Sequence, residues 1–173
     1  MRIIAGENRG TRIFAPKGDF TRPTSDRVRE AAFNLIGPVD DAAVLDLFAG
    51  SGAMGLEALS RGATSAVFVE YDRDACKTIE RNLEKLRMTG ARVLCRDVFQ
   101  VLAGESRTYD LILADPPYDF DDDPRLAPYL ARVLAPDGLV VYETAKRREP
   151  VLAGLNVRTS RTYGSARLTL FAH

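Results

Sequence analysis

Strand-like apolar segments alternate with helical stretches along most of the 173-residue chain. The strand-like segments contain few polar residues, which is typical of strands that are covered on both faces. Alternation of this kind predicts a doubly wound α/β fold, in which right-handed crossovers build a mostly parallel sheet. The predicted strands are 43–48, 65–70, 91–95, 109–114 and 138–143, and the predicted helices are 53–61, 73–89, 97–103 and about 125–134.

Both ends of the chain depart from this alternation. Two strand-like runs, 156–163 and 166–172, flank Gly164-Ser165, which predicts an antiparallel hairpin at the edge of the sheet. Short strands at 2–5 and 11–15 predict a second hairpin at the N-terminus. We therefore expect a Rossmann-like core that carries additional antiparallel strands.

An amphipathic helix is predicted after the N-terminal hairpin, since apolar residues between 28 and 36 recur with helical spacing. Thr24 or Ser25 is the expected N-cap, and Gly37-Pro38 is expected to end the helix. The chain has the length of one α/β domain. The predicted boundaries are a single domain over 1–173, a hairpin-plus-helix extension at 1–37 and a Rossmann-like core at 43–173.

The balance of charge limits the kind of nucleic-acid partner. Lysine plus arginine number 24 and aspartate plus glutamate also number 24, so the chain is not expected to coat nucleic acid indiscriminately. The charge is nevertheless uneven, because residues 1–36 and 146–173 are basic whereas 97–123 is acidic. Basic ends indicate surfaces for phosphate. The run Lys146-Arg147-Arg148 is either a solvated loop or an RNA contact, and Asp121-Asp122-Asp123 is expected to lie off the RNA path.

The residue types give no signal for a metal or a membrane. The only histidine is His173, and the two cysteines, Cys76 and Cys95, lack the spacing of a metal site. No segment approaches the roughly 18 consecutive apolar residues that a bilayer span requires. We expect a cytoplasmic, monomeric protein with reduced, buried thiols, no bound metal and no membrane partner.

A glycine loop follows the strand at 43–48. Gly50, Gly52 and Gly55 fit the pattern G-x-G-x-x-G between a strand and a helix, and Glu70 ends the next strand 20 residues after Gly50. An acid in that position accepts hydrogen bonds from ribose hydroxyls. The loop and Glu70 together predict a ligand that contains a nucleoside.

The charge of Asp46 favours one such ligand over another. A dinucleotide would bring its pyrophosphate to the glycine turn, where the Asp46 carboxylate would repel it. S-adenosylmethionine instead carries a sulfonium and an ammonium group, which a carboxylate attracts, although Asp46 could also hydrogen-bond the loop backbone. Asp97 follows the strand at 91–95, and we expect it to accept from the adenine amino group, to cap the following helix, or to do both.

The segment Asp115-Pro116-Pro117-Tyr118 places a rigid, polar turn at the end of a buried strand. Two prolines remove two N–H donors, so the turn presents mainly acceptors, the Asp115 carboxylate and the Pro116 carbonyl. Two acceptors that bind both hydrogens of an aromatic amine draw its nitrogen towards tetrahedral geometry and free its lone pair. Tyr118 offers a face on which a flipped-out base can stack. The motif therefore predicts methyl transfer to the exocyclic amine of a base.

Taken in order, these motifs resemble the class I methyltransferases that use S-adenosylmethionine and modify amino groups of bases. Three further segments narrow the resemblance to the RsmD-type 16S ribosomal RNA guanine-N2 methyltransferases and extend it over nearly the whole chain. These segments are residues 1–10, 21–34 and 163–168.

The resemblance implies both a target and a set of site residues. The implied target is the N2 amine of a guanine in 16S rRNA, within an assembling small ribosomal subunit. The residues expected to bind the cofactor are Thr24, Asp46, Ala49, Gly50, Gly52, Glu70, Asp97 and Val98. Those expected to act in catalysis are Asp115, Pro116 and Tyr118, and those expected to bind the base are Pro117, Tyr118 and Arg22.

Three other functions are compatible with parts of the pattern. A DNA or RNA adenine-N6 methyltransferase, or a cytosine-N4 enzyme, would use the same Asp115–Tyr118 motif, but DNA enzymes usually need a recognition domain for which the chain has no spare length. A nucleotide-dependent oxidoreductase is disfavoured by Asp46. A non-enzymatic RNA-binding module would not need Glu70 and Asp115 beside a glycine loop.

Overall fold

The computed structural model describes residues 1–16 and 25–173 of the chain. Its helices are α1 (Asp26–Ile36), α2 (Ala53–Ser60), α3 (Arg73–Lys85), α4 (Val98–Gly104) and α5 (Asp123–Val133). Its strands are β1 (Ala43–Leu47), β2 (Ser65–Glu70), β3 (Ala91–Cys95), β4 (Tyr109–Ala114), β5 (Leu134–Ala145), β6 (Asn156–Tyr163) and β7 (Ala166–Ala172). Two predicted site residues, Arg22 and Thr24, lie outside the described residues.

The strands of the described residues form one seven-stranded sheet in the order β3-β2-β1-β4-β5-β7-β6. The pairs from β3 to β5 are parallel, whereas β7 runs antiparallel to both β5 and β6. The predicted mostly parallel sheet with a C-terminal antiparallel hairpin is therefore confirmed. The strand order reverses between β1 and β4, so their carboxyl ends border the crevice where open α/β sheets bind ligands.

Helices cover both faces of the sheet. Phe33 of α1, Leu56 of α2 and Ile79 of α3 belong to a buried cluster on one face, and Leu102 of α4 and Leu130 of α5 belong to a cluster on the other. Burial of a large apolar side chain stabilises the fold by about 1.5–3 kcal/mol. None of the described helices is long and apolar enough to cross a membrane.

The N-terminal hairpin is smaller than the two strands predicted for it. Its two segments share one antiparallel bridge, between Arg2 and Arg12, and three backbone hydrogen bonds around it. After Ile3 the chain turns to helix α2, where the Glu57 carboxylate accepts the N–H groups of Ile4 and Ala5 at 2.8 and 2.9 Å. The contact with Glu57 therefore holds the N-terminal segment against α2, and the hairpin stays short. The proposed division into an extension and a core remains a prediction.

Two element bounds differ from the predicted ones by four residues, the end of α3 and the start of β5. Helix α3 ends at Lys85, four residues early, because Arg87 has a φ of +52°, which cannot continue a right-handed helix. Strand β5 begins at Leu134, since that residue already pairs with Tyr109 of β4. The Ser25 side chain caps α1 by accepting the Val28 N–H at 3.2 Å, as the sequence predicts.

The expectation of reduced thiols is wrong, and the expected burial holds for Cys76 only. Cys76 and Cys95 form a disulfide with a Cα–Cα separation of 5.9 Å, and Cys95 is exposed. The crossover from β2 through α3 to β3 lays the first turn of α3 beside the end of β3, and the Cα separation lies in the usual disulfide range. Residues 19 positions apart in sequence thus become neighbours, which their spacing alone does not reveal.

A buried ion pair joins the N-terminal extension to the core. Arg29 of α1 and Glu57 of α2 are both 0% exposed, and Arg29 Nε lies 3.4 Å from the Glu57 carboxylate. The Arg29 guanidinium also donates to the Arg2 carbonyl and, at 2.8 Å, to Asp26. Arg61 reaches the Glu57 carboxylate from the other side at 2.8 Å. The network links the first residues, α1 and α2, and its central pair, Arg29 and Glu57, is shielded from water.

Removing one member of this network should strongly destabilise the fold. We expect Glu57→Ala to lower the free energy of unfolding by about 3–5 kcal/mol, because Arg29 keeps its charge in a buried site but loses its buried carboxylate. Chemical denaturation measures the change.

The matched control is Asp74→Ala, which removes an exposed ion pair with Lys77 at 3.8 Å. That control should cost less than about 1 kcal/mol. An equally small loss for Glu57→Ala would contradict the structural role of the buried pair.

Candidate active site

Three acidic residues meet at the carboxyl edge of the sheet. Leu47 of β1 is level with Val69 of β2 and with Ala114 of β4, so Asp46, Glu70 and Asp115 all lie within one residue of that level. Asp46 interacts electrostatically with both of the other carboxylates. Residues far apart in sequence thus form one acidic cluster at the point where the strand order reverses.

The glycine loop leaves β1 through a run of left-handed backbone. Phe48 has a φ of +57°, Gly50 of +56° and Gly52 of +78°. A Cβ added at Gly50 would meet nothing within 4 Å, so the loop surface is open there to a ligand. A Cβ added at Gly55 would lie 2.4 Å from the Phe68 ring, so Gly55 is required by helix–sheet packing.

The Asp46 side chain is only 4% exposed and accepts a hydrogen bond from the Gly55 N–H at 2.9 Å. Of its two expected roles, the contact with the loop backbone is therefore present. Burial raises the pKa of Asp46 well above its ordinary value, the Gly55 bond opposes this, and the carboxylates of Asp115 and Glu70 raise the pKa further. A cation bound in the crevice would stabilise the ionised form of Asp46 and lower its pKa again.

Glu70 ties the glycine loop to the turn after β2. Its Oε2 accepts the Gly50 N–H at 2.7 Å, and its Oε1 accepts the N–H groups of Tyr71 and Asp72 at 2.8 Å each. A carboxylate has about four acceptor positions, so three backbone donors leave capacity for a ligand hydroxyl. The side chain is half-buried and meets solvent at the crevice.

Asp97 caps α4, as one of its two predicted roles requires. Its Oδ1 accepts from Phe99 N–H at 2.9 Å and from Gln100 N–H at 3.2 Å. No described residue donates to Oδ2, so contact with an adenine amino group stays a prediction that is compatible with the cap. Val98 is 5% exposed with its side chain in the core, so only its backbone, in the first turn of α4, can face a ligand.

The two proline carbonyls in the turn after β4 differ in their hydrogen-bond partners. The Pro117 carbonyl accepts the Phe120 N–H at 2.9 Å and closes the turn. No described residue donates to the carbonyl of the buried Pro116, which follows the half-buried Asp115. Tyr118 is 44% exposed and presents ring surface to solvent. The turn thus offers a carbonyl, a carboxylate and an aromatic face to one ligand.

Aromatic residues absent from the predicted site hold this turn against the glycine loop. The Phe120 ring lies edge-on to the Phe48 ring with centroids 5.3 Å apart, and it stacks on Phe99 at 6.4 Å. These contacts connect the loops after β1 and β4 to the first turn of α4. A phenylalanine next to each motif is the signal that could have identified them.

Asn82 is a second residue that the sequence reading omits. It is 0% exposed on the inner face of α3, where its amide donates to the Ser51 carbonyl of the glycine loop at 3.1 Å. The same side chain pairs with the backbone N–H and carbonyl of Phe14 at 2.7 and 3.0 Å. An asparagine on the apolar face of an amphipathic helix is unusual, and this position is the signal in the sequence that could have identified Asn82. It connects the N-terminal segment to the glycine loop.

Comparison with known proteins agrees with this arrangement. The family model described as Conserved hypothetical protein 95 matches residues 1–172. Ribosomal RNA small subunit methyltransferase D of Escherichia coli K12 is 44% identical over 119 residues, which are 68% of this chain and 60% of that protein. The chain thus spans less than two thirds of that relative. A Bacillus subtilis 168 protein, provisionally named rRNA methyltransferase YlbH, is 37% identical over 99% of this chain and 98% of its own.

A solved structure resembles the whole fold. The Escherichia coli protein yhhF, provisionally described as a methyltransferase, superposes with a TM-score of 0.87 at 33% identity, and the alignment covers 100% of this chain and 99% of that one. The predicted class I, Rossmann-like fold is therefore confirmed.

Replacing Asp46 by asparagine tests whether its buried charge destabilises the ligand-free fold. Because burial raises the pKa of Asp46, the folded chain holds this proton more tightly than the unfolded chain. The resulting stability is complete below the unfolded pKa of about 3.9 and is lost as the pH rises through the higher folded pKa. Asp46→Asn avoids that loss, so its unfolding midpoint should exceed that of the wild type at neutral pH.

Thermal unfolding followed from about pH 4 to about pH 8 measures this difference, which should shrink towards the acidic end. Asp137→Asn, at an exposed carboxylate, is the control and should show no comparable gain. An Asp46→Asn variant less stable than the wild type at neutral pH would contradict the assignment.

Proposed function

Because the chain belongs to the family described as Conserved hypothetical protein 95, that of the RsmD-type enzymes, we propose that it methylates a guanine of 16S rRNA. The methyl group comes from S-adenosylmethionine and goes to the exocyclic N2 amine. Relatives named as small-subunit rRNA methyltransferases support rRNA as the substrate. The protein acts as a monomer in the cytoplasm on a partly assembled small subunit.

The acidic cluster supports S-adenosylmethionine over a phosphate-bearing cofactor. When bound, this molecule supplies a methyl carbon on a positively charged sulfur, which a nitrogen lone pair can attack. Asp46, Glu70 and Asp115 create a negative field at the crevice, which favours a sulfonium and an ammonium group and opposes a pyrophosphate. Gly50 leaves space for the ligand, and Glu70 retains acceptor capacity for a ribose hydroxyl.

The turn after β4 carries the proposal that the substrate is an exocyclic amine. The two N–H groups of guanine N2 donate to the Asp115 carboxylate and to the Pro116 carbonyl, the acceptor that no described residue occupies. Both acceptors pull the nitrogen out of conjugation with the ring and aim its lone pair at the methyl carbon. After the bond forms, Asp115 accepts the proton that the nitrogen loses. Positioning and fixed charge thus supply the catalysis.

Two features of the chain keep the turn ready for a base. The exposed Tyr118 ring provides a stacking surface, and stacking of one base on an aromatic side chain is worth about 1–3 kcal/mol. The Phe48–Phe120 contact fixes the turn relative to the glycine loop. The distance and orientation between a base on Tyr118 and a cofactor on the loop therefore stay constant.

The identity of the methylated nucleoside tests the proposed function. The protein is incubated with methyl-labelled S-adenosylmethionine and either 16S rRNA or small ribosomal subunits that lack the modification, and digested nucleosides are analysed by mass spectrometry. Label should appear in N2-methylguanosine. Label in N6-methyladenosine would instead identify the adenine-directed alternative, and label in N4-methylcytidine the cytosine-directed one. Label in none of the three nucleosides would contradict methylation of an exocyclic amine.

Asp115→Asn and Glu70→Gln form a matched pair, since each removes one negative charge with little change of shape. Asp115→Asn should reduce turnover about 10²–10³-fold, because the neutral amide cannot take the proton that the amine loses. Its cofactor affinity should fall less than that of Glu70→Gln, since Asp115 contributes only its charge to the field at the crevice. Glu70→Gln should mainly weaken cofactor binding, about tenfold or more, as expected when a charged acceptor is lost.

Calorimetry and single-turnover transfer separate the two effects. Wild-type turnover in Asp115→Asn would remove Asp115 from the reaction, and wild-type cofactor affinity in Glu70→Gln would remove Glu70 from the cofactor site.

A further inference from the structure

The loop after β5 and the tip of the C-terminal hairpin lie together at the active-site edge. Ala145 pairs with Ala166, and the Lys146 N–H donates to the Ser165 carbonyl at 2.8 Å. Strand β5 neighbours β4, with Tyr142 level with Ala114. By strand geometry, Lys146 therefore lies roughly 10 Å beyond the level of Asp115, one strand to the side.

Arg167 fastens the loop to the hairpin by three contacts. Its Nε donates to the Lys146 carbonyl at 3.1 Å, its Nη1 donates to the Ser160 hydroxyl at 2.9 Å, and its Nη2 lies 3.5 Å from the Glu149 carboxylate. The side chain is 17% exposed, so these contacts are partly shielded from solvent. Arg167 belongs to the segment 163–168 that carries the family resemblance. In the structure it holds the backbone of the loop after β5 against the hairpin.

The three consecutive cations after β5 have different surroundings. Arg148 turns inward to an ion pair with Asp123 at 2.6 Å, and its carbonyl accepts the Thr144 hydroxyl at 2.8 Å. Lys146 and Arg147 point outward and are exposed, and neither forms an ion pair with another described residue. The loop therefore presents two uncompensated charges on a backbone that its neighbours hold in place.

We propose that Lys146 and Arg147 bind the RNA phosphates next to the target nucleotide, and that Arg167 is the positioning residue that holds them there. The inference rests on the proposed function and deepens it. We expect the RNA backbone next to a base inserted at Asp115–Tyr118 to pass on the β5 side of the crevice, where it would meet two exposed cations that pair with no other described residue. Because the backbone of the loop is already held, phosphate binding has to order only the two side chains.

Charge reversal tests the phosphate contact. Lys146→Glu/Arg147→Glu is compared with Arg92→Glu/Arg158→Glu, which changes the net charge equally at two exposed sites on β3 and β6, the two edge strands of the sheet. Affinity for a 16S rRNA transcript is measured against salt concentration, together with transfer kinetics. The first variant should bind RNA about 100-fold more weakly and lose about two units of salt slope, one for each phosphate contact.

Cofactor affinity and kcat at saturating RNA should stay near wild type in the first variant. The Arg92→Glu/Arg158→Glu control should lose only the small affinity that its net charge explains. Equal losses in both variants would overturn the assignment, and so would a loss seen with small subunits but not with naked RNA, which would indicate a ribosomal protein as the partner.

Arg167→Lys tests the positioning role at constant charge. The three contacts of Arg167 use three different nitrogens of its planar guanidinium, and the single ammonium nitrogen of lysine cannot reach all three partners. KM for RNA should therefore rise about three- to tenfold with kcat unchanged. The substitution should add little to Lys146→Glu/Arg147→Glu, because the residues it positions are already changed. A fall in kcat, or full additivity with that variant, would show a structural effect only.

Failure of this inference is distinguishable from failure of the proposed function. If the wild type labels N2-methylguanosine and the reversed variant matches the control, only the phosphate contact is wrong. If the wild type neither binds nor methylates 16S rRNA, both are wrong.

Discussion

Asp46, the last residue but one of β1, is 4% exposed and its carboxylate accepts the Gly55 N–H at 2.9 Å. That bond joins the strand to the first turn of α2 and determines the path of the loop between them. Since Gly55 must lie against Phe68 for the helix to approach the sheet, the same contact also sets the helix position. The open surface at Gly50 and the level at which Glu70 reaches the loop both follow from it.

Three carboxylates share one crevice, and their surroundings give them different tasks. Asp46 is buried and its charge is costly to the ligand-free fold, which favours a cationic ligand. Glu70 is held by three backbone donors and serves as a fixed acceptor. Asp115 is half-buried beside the Pro116 carbonyl, to which no described residue donates, and we expect it to meet a substrate amine. Their closeness makes the site selective for positive charge before any substrate arrives.

The fold and the motif positions were predictable because the spacing of apolar residues, of glycines and of prolines is a local signal in the sequence. Continuous apolar runs indicated the strands of the sheet, and the segment from Asp115 to Tyr118 indicated the turn after β4. Contacts across the sheet were not predictable. The Cys76–Cys95 disulfide, the Phe48–Phe120 contact and the amide of Asn82 depend on which elements become neighbours. The length of the N-terminal ladder was overestimated because the chain after Ile3 turns to Glu57, a helix residue that is distant in sequence.

The central claim is that the crevice selects a sulfonium through the ionised Asp46. The most direct measurement compares the calorimetric affinities of S-adenosylmethionine and S-adenosylhomocysteine, which differ at sulfur by one methyl group and one positive charge. The ratio of the two affinities should move in favour of S-adenosylmethionine as the pH rises, because the raised pKa of Asp46 delays its ionisation to a higher pH than that of an ordinary carboxyl group. The shift should vanish in Asp46→Asn. A ratio independent of pH in the wild type, or an equal shift in the variant, would contradict the account.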